Sequence, residues 1–199
     1  CTDSVTDADG DTKSATSGVT DISSHLSITD TEPSINAPQA TAKTVDLAVL
    51  EGSGSAGSNS SSADFSSLFS HTNSNPTGVD QHLQPVQTSY SLSTTDGTDS
   101  GLLDNSNPAQ HIYLFNDGNG GVYGVAMAQQ GTPAPNAPHA LDLTVTPSGQ
   151  VNFQSNTPIH HDPGNTGTGA SLSLSPGSVS LKCTDSVTDA DGDTKSATS

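Results

Sequence analysis

The densest group of potential metal ligands is a short acidic loop that the sequence contains twice. It reads Val-Thr-Asp-Ala-Asp-Gly-Asp-Thr over residues 5–12 and again over residues 187–194. Each copy places three carboxylates at alternate positions around a glycine, which permits the positive φ of a tight loop. Ca²⁺ takes about six to eight oxygen ligands of this kind. We therefore expect calcium to bind the carboxylates of Asp7, Asp9, Asp11, Asp189, Asp191 and Asp193.

This acidic loop resembles only the first half of an EF-hand. An EF-hand needs a bidentate glutamate at the end of its loop, and no glutamate stands at that place after Asp11. The alternative interpretation is an acidic, solvated turn between two strands, in which the glycine supplies geometry alone.

A second group of carboxylates flanks the place where we expect two domains to join. Asp30 and Glu32 precede this junction, and Asp46 and Glu51 follow it. Carboxylates from both sides of a junction could share one calcium ion. We therefore include Asp30, Glu32 and Asp46 among the predicted metal ligands.

The sequence offers no convincing catalytic group. Its histidines, serines and aspartates make a Ser-His-Asp triad numerically possible, but no Gly-x-Ser-x-Gly elbow lies between a strand and a helix. His160 and His161 are adjacent, so their side chains point to opposite sides of an extended chain and should not share a metal ion. We therefore predict that the protein is not an enzyme.

Short β-strands separated by turns must position the acidic loops. Apolar and polar residues alternate over short segments, and turn-forming residues cluster at 116–121, 147–149 and 176–177. Residues 65–69 predict a helical turn at most. We predict an all-β fold, a sandwich in which two sheets each bury one face. The predicted strands lie within residues 19–28, 90–92, 112–115, 122–125, 141–145, 151–153, 172–174 and 179–181.

Two segments have the composition of linkers. Residues 33–44 are rich in Pro, Ala and Thr and should be extended. Residues 52–62 are rich in Gly and Ser and should form a flexible loop. We place the junction between domains in the first of these segments.

The chain carries a repeat whose period is as long as a domain. Residues 1–17 and 183–199 are identical, a period of 182 residues (183 − 1). Because solenoid repeats are only about 20–50 residues long, each unit here should be a whole domain in a beads-on-a-string array. We predict that residues 1–42 form the C-terminal strands of one repeat plus the junction. Residues 43–199 should form most of the following repeat, without its last strand.

The two cysteines, Cys1 and Cys183, are the same cysteine of the repeat. One thiol per domain cannot form a disulfide within its own domain. We expect a free or buried thiol, and the alternative is an interchain bridge between laterally packed arrays.

The charge of the chain limits its partners. The formal net charge is −17, with 4 basic residues against 21 acidic ones. No basic patch is therefore available to neutralise phosphates, which excludes ordinary binding to nucleic acid or anionic membranes. No apolar run reaches the roughly 18 residues of a membrane span, and 29% hydrophobic residues suit one modest β core.

Several motifs also follow one another in a characteristic order. They are Tyr90-Ser91-Leu92-Ser93, Asp99-Ser100-Gly101-Leu102, Ile112-Tyr113-Leu114-Phe115, residues 118–124, residues 146–151, Ile159-His160-His161-Asp162 and the acidic loop 187–194. Together they resemble the long tandem repeats of giant RTX adhesins, which are bacterial type I secretion substrates. The resemblance covers most of residues 45–199 and residues 1–35. It implies Ig-like β-sandwich extender domains that calcium rigidifies, exported through a C-terminal signal. Cys183 and the Pro-rich segment 132–138 depart from that pattern.

The sequence thus predicts a structural extender repeat of a large secreted bacterial adhesin or extracellular fibre at the cell surface. Such a repeat would support cell adhesion or biofilm formation, with neighbouring repeats and lateral fibre contacts as its partners. The alternative is a surface- or glycan-binding module, in which tandem copies supply avidity.

Overall fold

The computed structural model describes residues 1–30, 32–50, 58–72, 85–106, 108–160 and 171–199. The chain divides into two compact units, Cys1–Thr31 and Glu32–Ser199. The described regular elements are β-strands and short 3-10 turns, so the predicted all-β class is confirmed. In the described ranges, no helix is long and apolar enough to cross a membrane. The domain boundary predicted after residue 42 stays a prediction.

The first unit is a hairpin followed by an irregular segment. Strands β1 (Thr2–Thr6) and β2 (Thr12–Thr16) pair antiparallel around the first acidic loop. One 3-10 turn, Ser23–His25, stands where strands were predicted within residues 19–28, so that prediction is wrong. Alternating apolar residues make a strand only where a neighbouring strand completes the backbone hydrogen bonds. No such neighbour exists in the described part of this unit.

The second unit contains two larger sheets and a short ribbon within its described residues. Its strands are β3 (Gln39–Ala40), β4 (Asn59–Asp64), β5 (Phe69–Ser70), β6 (Gln87–Ser93), β7 (Thr98–Leu103), β8 (His111–Asn116), β9 (Val122–Met127), β10 (Leu141–Val145), β11 (Gln150–Ser155), β12 (Ser180–Thr188) and β13 (Thr194–Thr198). One sheet has the order β4-β11-β10-β9-β8-β7 and the other has the order β13-β12-β6, while β3 pairs with β5. All of these pairings are antiparallel.

The apolar core joins the two larger sheets, as in a β-sandwich. Ile112, Leu114 and Leu141 come from the six-stranded sheet, and Leu92 comes from β6 of the other sheet. The close packing requires glycine at position 124, where a Cβ would lie 2.7 Å from Cγ2 of Ile112 and 2.8 Å from Cγ of Leu141. The core therefore rests on alternate residues of short strands, as the sequence pattern predicts.

The predicted hairpin turns are formed. In the β8–β9 turn, the Asp117 carboxylate accepts the backbone N–H groups of Asn119 at 2.7 Å and Gly121 at 2.8 Å. In the β10–β11 turn, the Gly149 N–H donates to the Thr146 carbonyl at 2.9 Å. These bonds join residues close in sequence, so their residue types are sufficient to predict them. The predicted helical turn at residues 65–69 is also confirmed, as the 3-10 turn Ser66–Leu68.

Two predictions for irregular and extended segments are wrong. Asn59–Asp64 form edge strand β4, although residues 52–62 were predicted as a flexible loop. Polar serines suffice there because the β11 backbone supplies the hydrogen bonds. Residues 172–174 form no strand, and Leu174 packs against the core from an irregular segment.

The Pro-rich segment 33–44 belongs to the second unit. Pro33 and Pro38 are buried, and β3 lies within the segment and pairs with β5. The Thr41 N–H donates to the Leu68 carbonyl at 2.8 Å. Backbone hydrogen bonds of β3 and Thr41 hold the segment against its own unit. The extended conformation of the rest of the segment stays a prediction.

Candidate metal centres

The two acidic loops share their strand register, their closing backbone hydrogen bond and the positive φ of their glycine. The β1–β2 and β12–β13 pairs share one register. In the first loop, the Asp7 N–H donates to the Asp11 carbonyl at 3.0 Å, and Gly10 has a φ of +98°. The corresponding bond of the second loop is also 3.0 Å, and its glycine, Gly192, has a φ of +105°. Identical residues therefore close the same hairpin twice, because the bonds that close it are local.

The backbone orients the first aspartate of each loop. Oδ1 of Asp7 accepts the N–H of Asp11 at 3.0 Å. Oδ1 of Asp189 accepts the N–H groups of Asp193 at 2.8 Å and Gly192 at 3.2 Å. One oxygen of this carboxylate is thus occupied in holding the loop.

The first loop brings three carboxylates together at the surface. Oxygens of Asp7, Asp9 and Asp11 lie within 4.8 Å of one another, and all three residues are exposed. A hydrogen bond with Asp9, followed by bonds from the loop backbone, lowers the pKa of Asp7. Three like charges at this spacing repel one another, and a divalent cation would offset that repulsion.

The second loop differs from the first in the burial of its leading aspartate. Asp189 is only 4% exposed, whereas Asp7 is exposed. Oδ2 of Asp189 is buried and has no hydrogen-bond partner among the described residues. An unpaired buried polar atom costs about 1–3 kcal/mol, and more when it is charged. Asp191 and Asp193 remain exposed, with carboxylate oxygens within 4.8 Å of each other.

The donor set of these loops fits a hard cation. It consists of carboxylate oxygens, which suit Ca²⁺ or Mg²⁺ and not the softer metals that prefer nitrogen and sulfur. An ion at Oδ2 of Asp189 would also satisfy a buried atom that has no hydrogen-bond partner among the described residues. No group of three possible ligands in the described part of the chain includes Asp189, so the predicted calcium stays a prediction.

The structure does not bring all the predicted metal ligands close to one another. Oε2 of Glu32 forms an ion pair with Nζ of Lys195 at 2.5 Å, and this pair raises the pKa of Lys195. Asp46 is exposed and belongs to no cluster of three possible metal ligands among the described residues. Asp30 is exposed near the end of the first unit. Glu51 lies outside the described residues.

The histidine pair is described only in part. The backbone N–H of His160 donates to the carbonyl of Leu103 at 2.8 Å, which joins this segment to β7. His161 and Asp162 lie outside the described residues. The prediction that this pair shares no metal ion stays a prediction.

A further cluster of possible ligands, which we did not predict from the sequence, lies on the inner side of β6 and β12. Nδ1 of His71 lies 2.7 Å from Oδ2 of Asp185, and the Thr88 hydroxyl donates to Oδ1 of Asp185 at 2.7 Å. Tyr90 and Cys183 stand opposite each other in the same ladder. We call these five residues the buried polar cluster. The sequence carries one signal for it, because Cys183 and Asp185 are two apart and so share one side of a strand.

The two cysteines are both free thiols in different environments. Cys1 is exposed and Cys183 is buried. Burial raises the pKa of Cys183, a hydrogen bond with Tyr90 opposes this effect, and the Asp185 carboxylate adds to it. A buried thiol is inert as a nucleophile, so Cys183 is placed to contribute packing or metal ligation and not catalysis.

Comparison with known proteins gives one match. The sequence model of a family described as a domain of unknown function, DUF5801, matches residues 40–199. No curated protein and no solved structure matches the chain significantly. The match includes every strand of the second unit from β4 to β13, together with the second acidic loop and the buried polar cluster. The chain therefore belongs to the DUF5801 family.

Proposed function

We propose that the chain is a calcium-rigidified structural repeat of a large secreted bacterial adhesin or extracellular fibre. In this proposal each repeat is an Ig-like β-sandwich. The repeats recur every 182 residues, which is the distance in sequence from Cys1 to Cys183. Its task is mechanical, because stiff tandem domains hold an adhesive end away from the cell surface. The RTX adhesins that its motifs resemble suggest export by type I secretion.

The observation that carries this proposal is the unpartnered oxygen of Asp189. It is buried in the second hairpin, immediately after the end of β12. A cation bound there would link the loop to the sandwich. Because only the folded chain buries and orients this oxygen, binding would stabilise it by RT ln(1 + [Ca²⁺]/Kd), about 2.7 kcal/mol when calcium is about 100 times Kd.

The repeated hairpin supports a tandem arrangement. Val187 of the second copy is 1% exposed, whereas the identical Val5 of the first copy is 69% exposed. β12 gains this burial by pairing with β6. In an array, β1 would pair in the same way with the β6 strand of a neighbouring repeat, and its apolar residues would then be covered.

A thermal melt with a matched pair of variants tests the calcium proposal. We expect calcium to raise the melting temperature of the second unit relative to EDTA. Asp189→Asn should reduce this rise strongly, because the substitution removes the charge of the buried carboxylate. Asp7→Asn alters the same position of the identical but exposed hairpin, so it should leave the rise in place. An equal melting temperature in calcium and EDTA would remove the cation from the mechanism.

A second candidate function is glycan binding in a surface groove beside β8 and β9. The groove has a volume of about 640 Å³. Its lining combines aromatic rings with carboxylate and amide groups, including Asp96, Phe115, Asn116, Tyr123 and Gln130. Tyr123 stacks on His139 with ring centroids 4.2 Å apart, which holds its ring in place. Ligand pockets of this kind use a few polar groups for orientation.

A glycan array probed with two tandem copies of the chain tests this candidate. Sugar-specific signal that Tyr123→Ala abolishes would favour the binding module, with avidity from tandem copies. Absence of any signal would leave the structural repeat as the function.

A further inference from the structure

We propose that the second unit also binds a zinc ion, through His71, Cys183 and Asp185 of the buried polar cluster. This site is separate from the acidic loops and differs from them in its donor atoms. The inference does not depend on the calcium proposal.

The strand register assembles the cluster. Cys183 and Asp185 alternate on β12 and point to the same side, opposite Tyr90 and Thr88 of β6. The Phe69 ring of β5 packs against Tyr90 with centroids 5.9 Å apart. This contact brings the chain that follows β5, including His71, to the same two strands.

The three donor atoms are close enough to share one ion. One ligand atom from each of His71, Cys183 and Asp185 lies within 4.8 Å of the other two. Zinc–ligand distances of about 2.0–2.3 Å in a tetrahedron place ligand atoms about 3.3–3.8 Å apart. His71 and Asp185 already meet at 2.7 Å, so the ion would take the place of the hydrogen that now bridges them. That hydrogen would be carried by Nε2 of His71 instead, in the other tautomer of the neutral ring.

The donor types favour zinc over calcium. Sulfur, imidazole nitrogen and carboxylate oxygen together are ligands of Zn²⁺ and its neighbours in the first transition series, whereas Ca²⁺ takes oxygen alone. When zinc binds, the Cys183 thiol releases its proton to solvent and the sulfur bonds the metal. One thiolate and one carboxylate then neutralise the two positive charges, which suits a buried position.

The cluster is open to solvent on the side of His71. Cys183 and Asp185 are both 0% exposed, while the His71 side chain is 37% exposed. An ion would therefore reach the cluster past His71. Three protein ligands leave one tetrahedral position, which water can fill from this side.

The alternative is a polar network without metal, in which His71 and Thr88 only satisfy the buried carboxylate of Asp185. This network leaves the Cys183 sulfur without a role beyond packing and its bond to Tyr90. The two interpretations differ in one measurable property, a bond between sulfur and metal.

Cobalt titration of the full chain distinguishes them. The chain is stripped with EDTA, supplied with excess calcium to fill the acidic loops, and titrated with Co²⁺. We expect a sulfur-to-cobalt charge-transfer band in the near ultraviolet that saturates at one ion per chain and disappears when zinc is added. Absence of this band would overturn the proposal, and it would leave the calcium proposal intact because carboxylates give no such band.

Matched cysteine variants show which sulfur atom produces the band. Cys183→Ser should abolish it, and Cys1→Ser should retain it, although Cys1 has the same sequence neighbours. Cys1 is also a free thiol and is exposed, so it could itself bind cobalt. A band that is lost in Cys1→Ser and kept in Cys183→Ser would therefore contradict the proposal.

A third variant tests the proposal even if Cys183→Ser does not fold. His71 is partly exposed, so His71→Ala should retain the far-ultraviolet circular dichroism of the wild type. We expect it to weaken cobalt binding by more than about tenfold, since even the loss of an outer-shell partner costs about 10–100-fold. Unchanged affinity in a folded His71→Ala chain would also overturn the proposal.

Discussion

At the scale of single residues, the surroundings of Tyr90 change its acidity. Burial, followed by the negative charges that Cys183 and Asp185 can carry, raises the pKa of Tyr90 to about 12 from its usual value of 10.0. In the unfolded chain the phenol loses its proton near pH 10. Between about pH 10 and 12 the unfolded state therefore holds fewer protons, and stability falls as the pH rises. The contribution of Tyr90 is fully present below pH 10.

Tyr90→Phe tests this linkage. We expect the variant to lose the part of the tyrosinate absorbance that titrates near pH 12 in the folded chain. Its free energy of unfolding should also decline less steeply above pH 10 than that of the wild type, because phenylalanine has no proton to release. Chemical denaturation at several alkaline pH values measures both slopes. Parallel slopes would show that Tyr90 titrates normally in the folded state.

Asp7 and Asp189 show how burial changes the role of one residue type. Both hold their loop through Oδ1, but only Asp189 has a buried second oxygen without a partner in the described chain. A carboxylate in water needs no further ligand, whereas a buried one does. We therefore expect tighter calcium binding in the second loop than in the first.

At the level of elements, β1 has the same sequence as the last five residues of β12 but different surroundings. β1 pairs only with β2 in the described structure, while β12 lies between β13 and β6. The residues of β12 that face inward, such as Val187, are almost fully buried, and their counterparts in β1 are exposed. The central position of β12 is thus a property of its partner strand and not of its own sequence.

A pair of identical substitutions measures this difference. Val187→Ala should destabilise the second unit by about 2 kcal/mol, since it removes buried methyl groups and leaves a cavity. Val5→Ala removes the same groups from an exposed position and should change stability by no more than about 0.5 kcal/mol. Urea unfolding of both variants gives the two values. Equal losses would mean that the two hairpins have equivalent surroundings in solution.

At the level of the whole molecule, the second hairpin completes the sandwich. β12 is the ladder partner of β6 in the described structure, and it carries Cys183, Asp185 and Val187 into the interior. Without it, the core residue Leu92 of β6 would lose the neighbouring strand that pairs with it at Leu181. The acidic hairpin is therefore structural as well as a candidate calcium site.

Two deletions of identical sequence test this dependence. Removal of residues 183–199 should abolish the cooperative unfolding of the second unit, because β6 loses its partner along Gln87–Tyr90 and the interior loses the buried Cys183 and Val187. Removal of residues 1–17 deletes the same amino acids but no partner of β6, so a cooperative transition should remain. Circular dichroism during urea unfolding distinguishes the two chains. A cooperative transition in the chain without 183–199 would contradict the role of β12.

Local features of the protein could be predicted from the sequence. The all-β class, the β8–β9 and β10–β11 turns and the 3-10 turn at Ser66–Leu68 were all predicted correctly. Each turn depends on hydrogen bonds between residues a few positions apart, so its residue types carry the information. The three carboxylates of the first acidic loop were also predicted, and they lie close together.

Features that depend on distant partners could not be predicted. Residues 19–28 alternate like a strand but have no neighbouring strand in the described unit, whereas the serines of β4 become a strand because β11 lies beside them. His71 meets Asp185 across 114 positions of sequence. No local pattern marks either pairing.

The repeated hairpin shows most clearly which features the local sequence determines and which depend on the tertiary structure. Its sequence alone determines the register and the hydrogen bond from the loop backbone to the first aspartate, since these are the same in both copies. Only the tertiary structure decides that Asp189 is buried with an oxygen that has no partner among the described residues, and that Cys183 and Asp185 lie in an interior cluster. The physical reason is that hydrogen bonds within a hairpin are local, whereas burial depends on the strand that packs beside it.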